Sequence, residues 1–236
     1  MLGFLMMLAL TALPAGAERE RERELMVLSI ENLAATAGPA SSRKMDPKVL
    51  RAMRQAPRHL FVPEAVRAHA YQNRPLPIGY EQTISQPYIV ALMTDLLDVE
   101  PDHVVLEVGT GSGYQAAVLS PLVRQVYTIE IVEPLASQAS RRLAELGYSN
   151  VTVRGGDGYP GWPEHAPFDR IIVTAGADHL PRPLIDQLRP GGRMVIPVGR
   201  SRNTLDLTVV EKDRRGRIKR RQILPVAFVP LTRSPN

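Results

Sequence analysis

The chain has 236 residues, of which 44% are hydrophobic and only 5% aromatic, so it can bury one substantial core built mainly of Leu, Val, Ile and Ala. It has no cysteine, which excludes disulfides, thiolate metal sites and a cysteine nucleophile and leaves the redox compartment open. A formal charge of +5 favours acidic partners without specifying one; His59, His69, His103, His165 and His179 show no metal-ligand spacing, and no metal is expected. Leu2 to Leu13 is an apolar run of signal-peptide length, followed by Pro14 and the small-residue pattern Ala15-Gly16-Ala17. It is short for a bilayer span and no Lys or Arg precedes it; Met26 offers an alternative start. Glu18 to Glu24 alternates in charge as a solvated helix or linker would. This divides the chain into a signal-like leader and charged linker over 1–24 and a single domain over 25–236. Within that domain a helical segment spans 25–100, a cofactor-binding core 101–200, and a hairpin and tail 201–236.

Asp46-Pro47 predicts a helix start, with an aspartate cap, proline in the first turn and Val49, Leu50 and Met53 on an apolar face. Pro75 and Pro77 predict a loop. Val104 to Val108 reads as a buried strand that breaks into a turn with glycine at alternate positions, before a helix-compatible run from Tyr114 to Leu119. Val126 to Ile129 predicts the next strand, with Glu130 at its C-terminal end. Leu135, Ala139, Leu143 and Leu146 recur at helical spacing and Gly147 closes that helix. Val151 to Val153, Ile171 to Val173 and Met194 to Val198 predict three more strands. Thr204 to Val210 and Ile223 to Val229 predict a hairpin turning around Gly216. Doubly apolar strands separated by helical segments predict an α/β fold: a doubly wound, mostly parallel sheet with a C-terminal antiparallel hairpin.

Glycines in the turn after the first strand let the backbone approach a ligand, and the free N–H groups of the following helix make the place receptive. A dinucleotide fingerprint would need glycine at 114, where the chain has Tyr114. The pattern present, Glu107, Gly109, Gly111 and Gly113, resembles the first motif of S-adenosylmethionine (SAM) methyltransferases, whose fold is Rossmann-like and whose early acid lies where the methionine end is received. Glu130 at the next strand end suits both ribose hydroxyls. Asp157, between Gly156 and Gly158, can reach the exocyclic amine of an adenine while the neighbouring backbone bonds the ring. The candidate cofactor-binding residues are therefore Glu107, Gly109, Thr110, Gly111, Gly113, Glu130, Asp157 and Gly158. Thr174-Ala175-Gly176-Ala177 lacks the acid or amide, prolines and aromatic usual where exocyclic amines of bases are methylated.

Further residues carry a closer resemblance: Pro57 to Pro63, Thr83 to Tyr88, Gly156-Asp157-Gly158, Pro167-Phe168-Asp169, Leu188 to Gly199, and Phe228-Val229-Pro230-Leu231-Thr232. Over about 45–233 the chain resembles the protein-L-isoaspartate (D-aspartate) O-methyltransferases. The resemblance implies methyl transfer from SAM to the α-carboxylate of L-isoaspartyl residues in damaged proteins and peptides, followed by collapse to a succinimide. It implies that Ser85 matches the active-site serine, with Ile84 and Thr232 beside the substrate. An ionised carboxylate needs no general base, and a sulfonium donor needs no metal. The basic run Arg214 to Arg221 has no interleaved aromatics and reads as a solvated turn, so no nucleic-acid partner is expected. No stable membrane association is expected either, and the protein is expected to be a monomer. A SAM enzyme acting on RNA or a small molecule, and a nonenzymatic SAM-binding module, are the alternatives. Donor supply favours the cytoplasm; a functional signal peptide over 1–17 would mean export.

Overall fold

A computed structural model describes residues 15–36, 44–201 and 204–233; the apolar leader Leu2 to Leu13 lies outside the described residues. Helix α1 (Ala15–Thr36) runs without a break through the charged Glu18–Glu24 stretch. One side of it enters the core through Met26, Val27, Ile30 and Ala34, at the one-turn spacing that puts residues on a common helix face. Arg54 bonds Glu24 at 2.9 Å, and Arg23 donates to the Arg54 carbonyl at 2.9 Å, tying α1 to helix α2 (Pro47–Gln55). As expected, Asp46 caps α2, accepting from the Lys48 amide at 2.8 Å.

Two short antiparallel strands follow, β1 (Leu76–Gly79) and β2 (Gln82–Ile84). The loop expected at Pro75 and Pro77 is thus partly a strand. In a two-stranded ribbon every strand is an edge, and the missing proline donor need cost no ladder bond. Helix α3 (Pro87–Leu97) was without a sequence signal because nearly all of it is buried, from Pro87 and Tyr88 to Leu96 and Leu97. A helix buried all round has no polar face to reveal a 3.6-residue period.

The main sheet comprises β3 (Val104–Val108), β4 (Gln125–Glu130), β5 (Val151–Gly155), β6 (Phe168–Val173), β7 (Leu188–Ser201), β8 (Thr204–Lys212) and β9 (Ile218–Val226). Its order is β5-β4-β3-β6-β7-β8-β9, with the first five strands parallel and the last two antiparallel. Helices α4 (Tyr114–Leu119) and α5 (Glu133–Glu145) lie with α1–α3 on one face, where Val105, Val126 and Val195 point; α6 (Arg182–Gln187) packs on the other with Leu106, Ile171 and Met194. The predicted doubly wound sheet and C-terminal hairpin are observed. The second hairpin strand begins at Ile218 instead of Ile223. Lys219, Arg220 and Arg221 extend it, because an exposed sheet edge accepts charged side chains that apolar patterning does not mark. Beyond Val226 the chain leaves the sheet and crosses towards the C-terminal end of β6.

Sheet order reverses at β3, whose neighbours β4 and β6 carry the chain away to opposite sides. Such a switch point opens a crevice outside the carboxyl ends of the strands.

Candidate active site

The glycine turn after β3 is held by the strands beside it. The Gly109 and Thr110 amides both donate to the Ile129 carbonyl, at 2.8 and 3.2 Å. Gly109 has φ +99°, and a Cβ there would run into the Thr174 hydroxyl at the end of β6. That hydroxyl donates to the Val108 carbonyl at 3.1 Å and to that of Gly109, closing the turn from its other side. At Gly158 a Cβ would meet Val108 Cγ1 at 2.5 Å, so the loop after β5 can approach β3 only with glycine in place.

Glu130, 5% exposed, joins two loops: Oε2 accepts from the Gly111 amide at 2.7 Å and Oε1 from the Val132 amide at 3.0 Å. Each carboxylate oxygen has a second acceptor position.

Glu107 differs. It lies on the helix-facing side of β3, opposite Thr128 and Ile172 in register, and is fully buried. Neither of its carboxyl oxygens makes a hydrogen bond of good geometry among the described residues; the Thr128 hydroxyl, close enough to favour the ionised form, lies 2.6 Å from that of Thr110. Burial, outweighing the favourable pull of the Thr128 hydroxyl and reinforced by the charge of Glu130, pushes the Glu107 carboxyl up to about 8. A buried acid without a donor is costly. Here it faces a cleft.

The cleft's opposite side comes from segments distant in sequence. Arg58, wholly buried, donates from Nε to the Ala70 carbonyl at 2.8 Å and from Nη2 to the Ser85 carbonyl at 2.7 Å, and lies 4.8 Å from the Tyr114 ring centroid. Burial lowers its pKa to about 10, leaving it charged at neutral pH. Asn73 accepts from the Tyr88 amide at 3.0 Å and fixes the chain just after Ser85. The outer wall is the tail: the Gly176 amide donates to the Val229 carbonyl at 2.7 Å, and the Leu231 amide returns a bond to the Gly176 carbonyl at 2.8 Å.

These parts line a single open cleft at the carboxyl ends of the strands, where ligands of such sheets bind. Of the residues singled out from sequence, Ile84, Ser85, Glu107, Gly109, Thr110, Gly111, Glu130, Gly158 and Thr232 line it. Gly113 and Asp157 do not. Gly113, at φ +89°, starts α4, where a Cβ would press on Leu143 at 3.1 Å. Asp157 Oδ1 accepts from the Tyr159 amide at 2.8 Å, shaping the turn that presents Gly158. Sequence reasoning missed Thr174, whose hydroxyl braces the glycine turn, and Arg58, whose buried guanidinium holds the Ser85 loop. Both sit inside stretches quoted for other reasons, and single-residue chemistry marks neither.

A sequence profile of the protein-L-isoaspartate(D-aspartate) O-methyltransferases matches residues 40–236. The chain belongs to this family. A relative from Syntrophobacter fumaroxidans, called protein-L-isoaspartate O-methyltransferase 2, is 61% identical over 220 residues, covering 93% of this chain and 87% of its own. One of the same name from a Polaromonas species is 62% identical over 209 residues, covering 89% of this chain and 97% of its own. Among solved structures, a protein-L-isoaspartate O-methyltransferase superposes with a TM-score of 0.76 at 26% identity, over 88% of this chain and 65% of that one. A Plasmodium falciparum structure described by the same activity, in complex with S-adenosyl-L-homocysteine, gives a TM-score of 0.72 at 25% identity, over 89% of this chain and 99% of that one. The family match spans the turn after β3, the Ser85 loop and the tail, so both sides of the cleft fall within it.

Proposed function

We propose that the chain transfers a methyl group from SAM to the α-carboxylate of L-isoaspartyl residues in damaged proteins and peptides, initiating their repair through a succinimide. Family membership supports the reaction. The observation that carries the assignment of the site is Glu107: a buried carboxyl with neither oxygen in a well-formed hydrogen bond among the described residues, facing a cleft that Ser85 also lines. A cationic ligand answers that demand, and SAM carries two positive centres.

When bound, SAM supplies an activated sulfonium methyl. Glu107 receives the ammonium at its methionine end, and Glu130 accepts the ribose hydroxyls on lone pairs its two amide bonds leave over. Gly109, Thr110 and Gly111 let the backbone approach, while Gly113 acts by turning the chain into α4. The Gly158 backbone takes the adenine edge, and Asp157 acts by shaping the turn that presents it. Ser85 orients the incoming carboxylate through its hydroxyl and forms no covalent intermediate; Ile84 and Thr232 close around the acceptor. The acceptor, with pKa of about 4, is already ionised. The protein's work is alignment and exclusion of water.

Labelled SAM offered with two peptides differing only in an isoaspartyl or aspartyl linkage tests this reading. Label is expected in the isoaspartyl peptide alone; equal labelling, or labelling of RNA instead, would overturn it. The strand directions argue against RNA as acceptor: β8 runs antiparallel to β7, which carries the basic turn at 213–217 to the end of the sheet away from the cleft. We further propose a monomer acting in the cytoplasm, where the donor is made. No helix among the described residues is long and apolar enough to cross a membrane. Sedimentation and the N-terminus of fractionated protein check both; a periplasmic form starting at Glu18 would relocate the activity.

A further inference from the structure

A second cleft opens on the far side of the tail and shares Pro230 and Leu231 with the first. Its apolar lining comes from Ala177, Leu205 and Phe228. Its polar lining is a chain of contacts that the reaction described above does not use. Asp178 Oδ1 meets His179 Nδ1 at 2.5 Å, His179 Nε2 meets the Tyr159 hydroxyl at 2.8 Å, and the Arg233 guanidinium lies 3.9 Å from the Tyr159 ring centroid.

Asp178 on Nδ1 and the Tyr159 hydroxyl on Nε2 engage both ring nitrogens of His179. Tyr159 is thereby held, and its ring face holds Arg233. A guanidinium held over a ring face by its carbon keeps N–H donors that can match a carboxylate in bidentate fashion. No carboxylate among the described residues makes an ion pair with Arg233. The acid in this lining, Asp178, is 80% exposed and turned onto His179, so its charge is well screened.

We propose that this second cleft is the subsite for substrate chain flanking the isoaspartyl residue, and that Arg233, steadied by Tyr159 and His179, selects an acidic side chain there. The proposal rests on the reading of the first cleft as the methyl-transfer site. Pro230 and Leu231 line both clefts, so the second cleft lies one tail's width from the first and within reach of a chain that crosses the tail from Ser85 and Thr232. A guanidinium already placed by stacking loses little freedom on pairing, which favours discrimination even at an exposed site.

The test uses isoaspartyl peptides carrying either Glu or Ala at each position up to three residues before and after the damaged linkage, about the reach of a few extended residues. The full-length protein and its Arg233→Ala and Arg233→Lys variants are compared by peptide KM and kcat. A Glu at one of these positions should lower KM about 3- to 5-fold, the scale of an exposed charge pair. The preference should shrink in Arg233→Lys, vanish in Arg233→Ala and fade at high salt, with the SAM KM unmoved. Equal KM for all peptides, or a Glu preference that persists in Arg233→Ala, would overturn the proposal. Fluorescence anisotropy of the same labelled peptides separates the two readings. Glu-dependent binding without methylation would refute the acceptor assignment and keep the subsite, whereas methylation without Glu-dependent binding would do the reverse.

Discussion

The proposed donor half and the proposed acceptor half of the cleft are built in opposite ways. The donor half hangs on the ends of adjacent parallel strands: the Gly109–Gly113 turn follows β3, Glu130 ends β4, Gly158 follows β5 and Thr174 follows β6. Its geometry comes with the sheet. The acceptor half is assembled from the Arg58 segment, the Ser85 loop and a tail from beyond β9, joined by hydrogen bonds between residues far apart in sequence. Rigidity is therefore inherited on one side and depends on a few side-chain and backbone ties on the other.

The largest expected effect separates the halves by their ties. Arg58→Ala removes a fully buried side chain and leaves the Ala70 and Ser85 carbonyls without their donor. It should cost about 3–5 kcal/mol of stability by urea unfolding. In the protein that remains folded, peptide turnover should collapse while SAM affinity, measured calorimetrically, stays near that of the parent. A loss of SAM affinity as large as the loss of turnover would show that the halves are not separable.

Two substitutions sharpen the same contrast at smaller scale. Glu130→Ala should cost about 1.5–3 kcal/mol of SAM affinity, since it removes both the proposed ribose acceptor and the tie between the Gly111 and Val132 amides. Ser85→Ala should leave that affinity intact and lower kcat. Unchanged SAM binding in Glu130→Ala would place the ribose contact elsewhere.

Glu107 predicts a pH signature confined to the donor half. Its carboxyl is raised to about 8 in the folded chain from an ordinary value near 4.5. Its contribution to stability is thus fully present below about pH 4.5 and is lost as pH rises through about 8. Without ligand, the parent should lose stability over that window, and Glu107→Gln should flatten the loss in thermal melts across pH. Binding a cation favours the ionised acid, so SAM association near pH 7 should release a proton. Calorimetry in buffers of different ionisation enthalpy reads that release, which Glu107→Gln should abolish.

The smallest effect concerns α1. Removing residues 1–24 deletes the half-exposed Glu24–Arg54 pair and the Arg23 bond to the Arg54 carbonyl, but spares Met26, Val27 and Ile30. The pair itself should be worth no more than about 1 kcal/mol. Activity of the truncated chain should persist, as measured with the isoaspartyl peptide.

The same contrast decides what could be read from sequence. β3, β4 and the turn between β3 and α4 were legible because apolar runs ending in alternate glycines leave few alternatives, and Glu107 and Glu130 then fall at strand ends by counting. The acceptor half carries no such local grammar. Ser85 and Thr232 stood out only through family resemblance, since their meeting depends on the Arg58 and Gly176 bonds, which no periodicity encodes. α3 escaped because it is buried all round, and the first part of β9 because an edge strand rich in Lys and Arg looks like a turn.

The bond between Gly176 and Val229 has a consequence for the order of synthesis. A ribosome delivers every strand that carries the donor half well before it delivers the tail. A nascent chain can therefore shape the glycine turn and the Glu130 bridge while still lacking the outer wall at 229–232. Products ending before Val229 would retain a place for the nucleoside yet leave the reacting centre open to water. Their ability to hold a ligand and their ability to turn it over should part company at that residue.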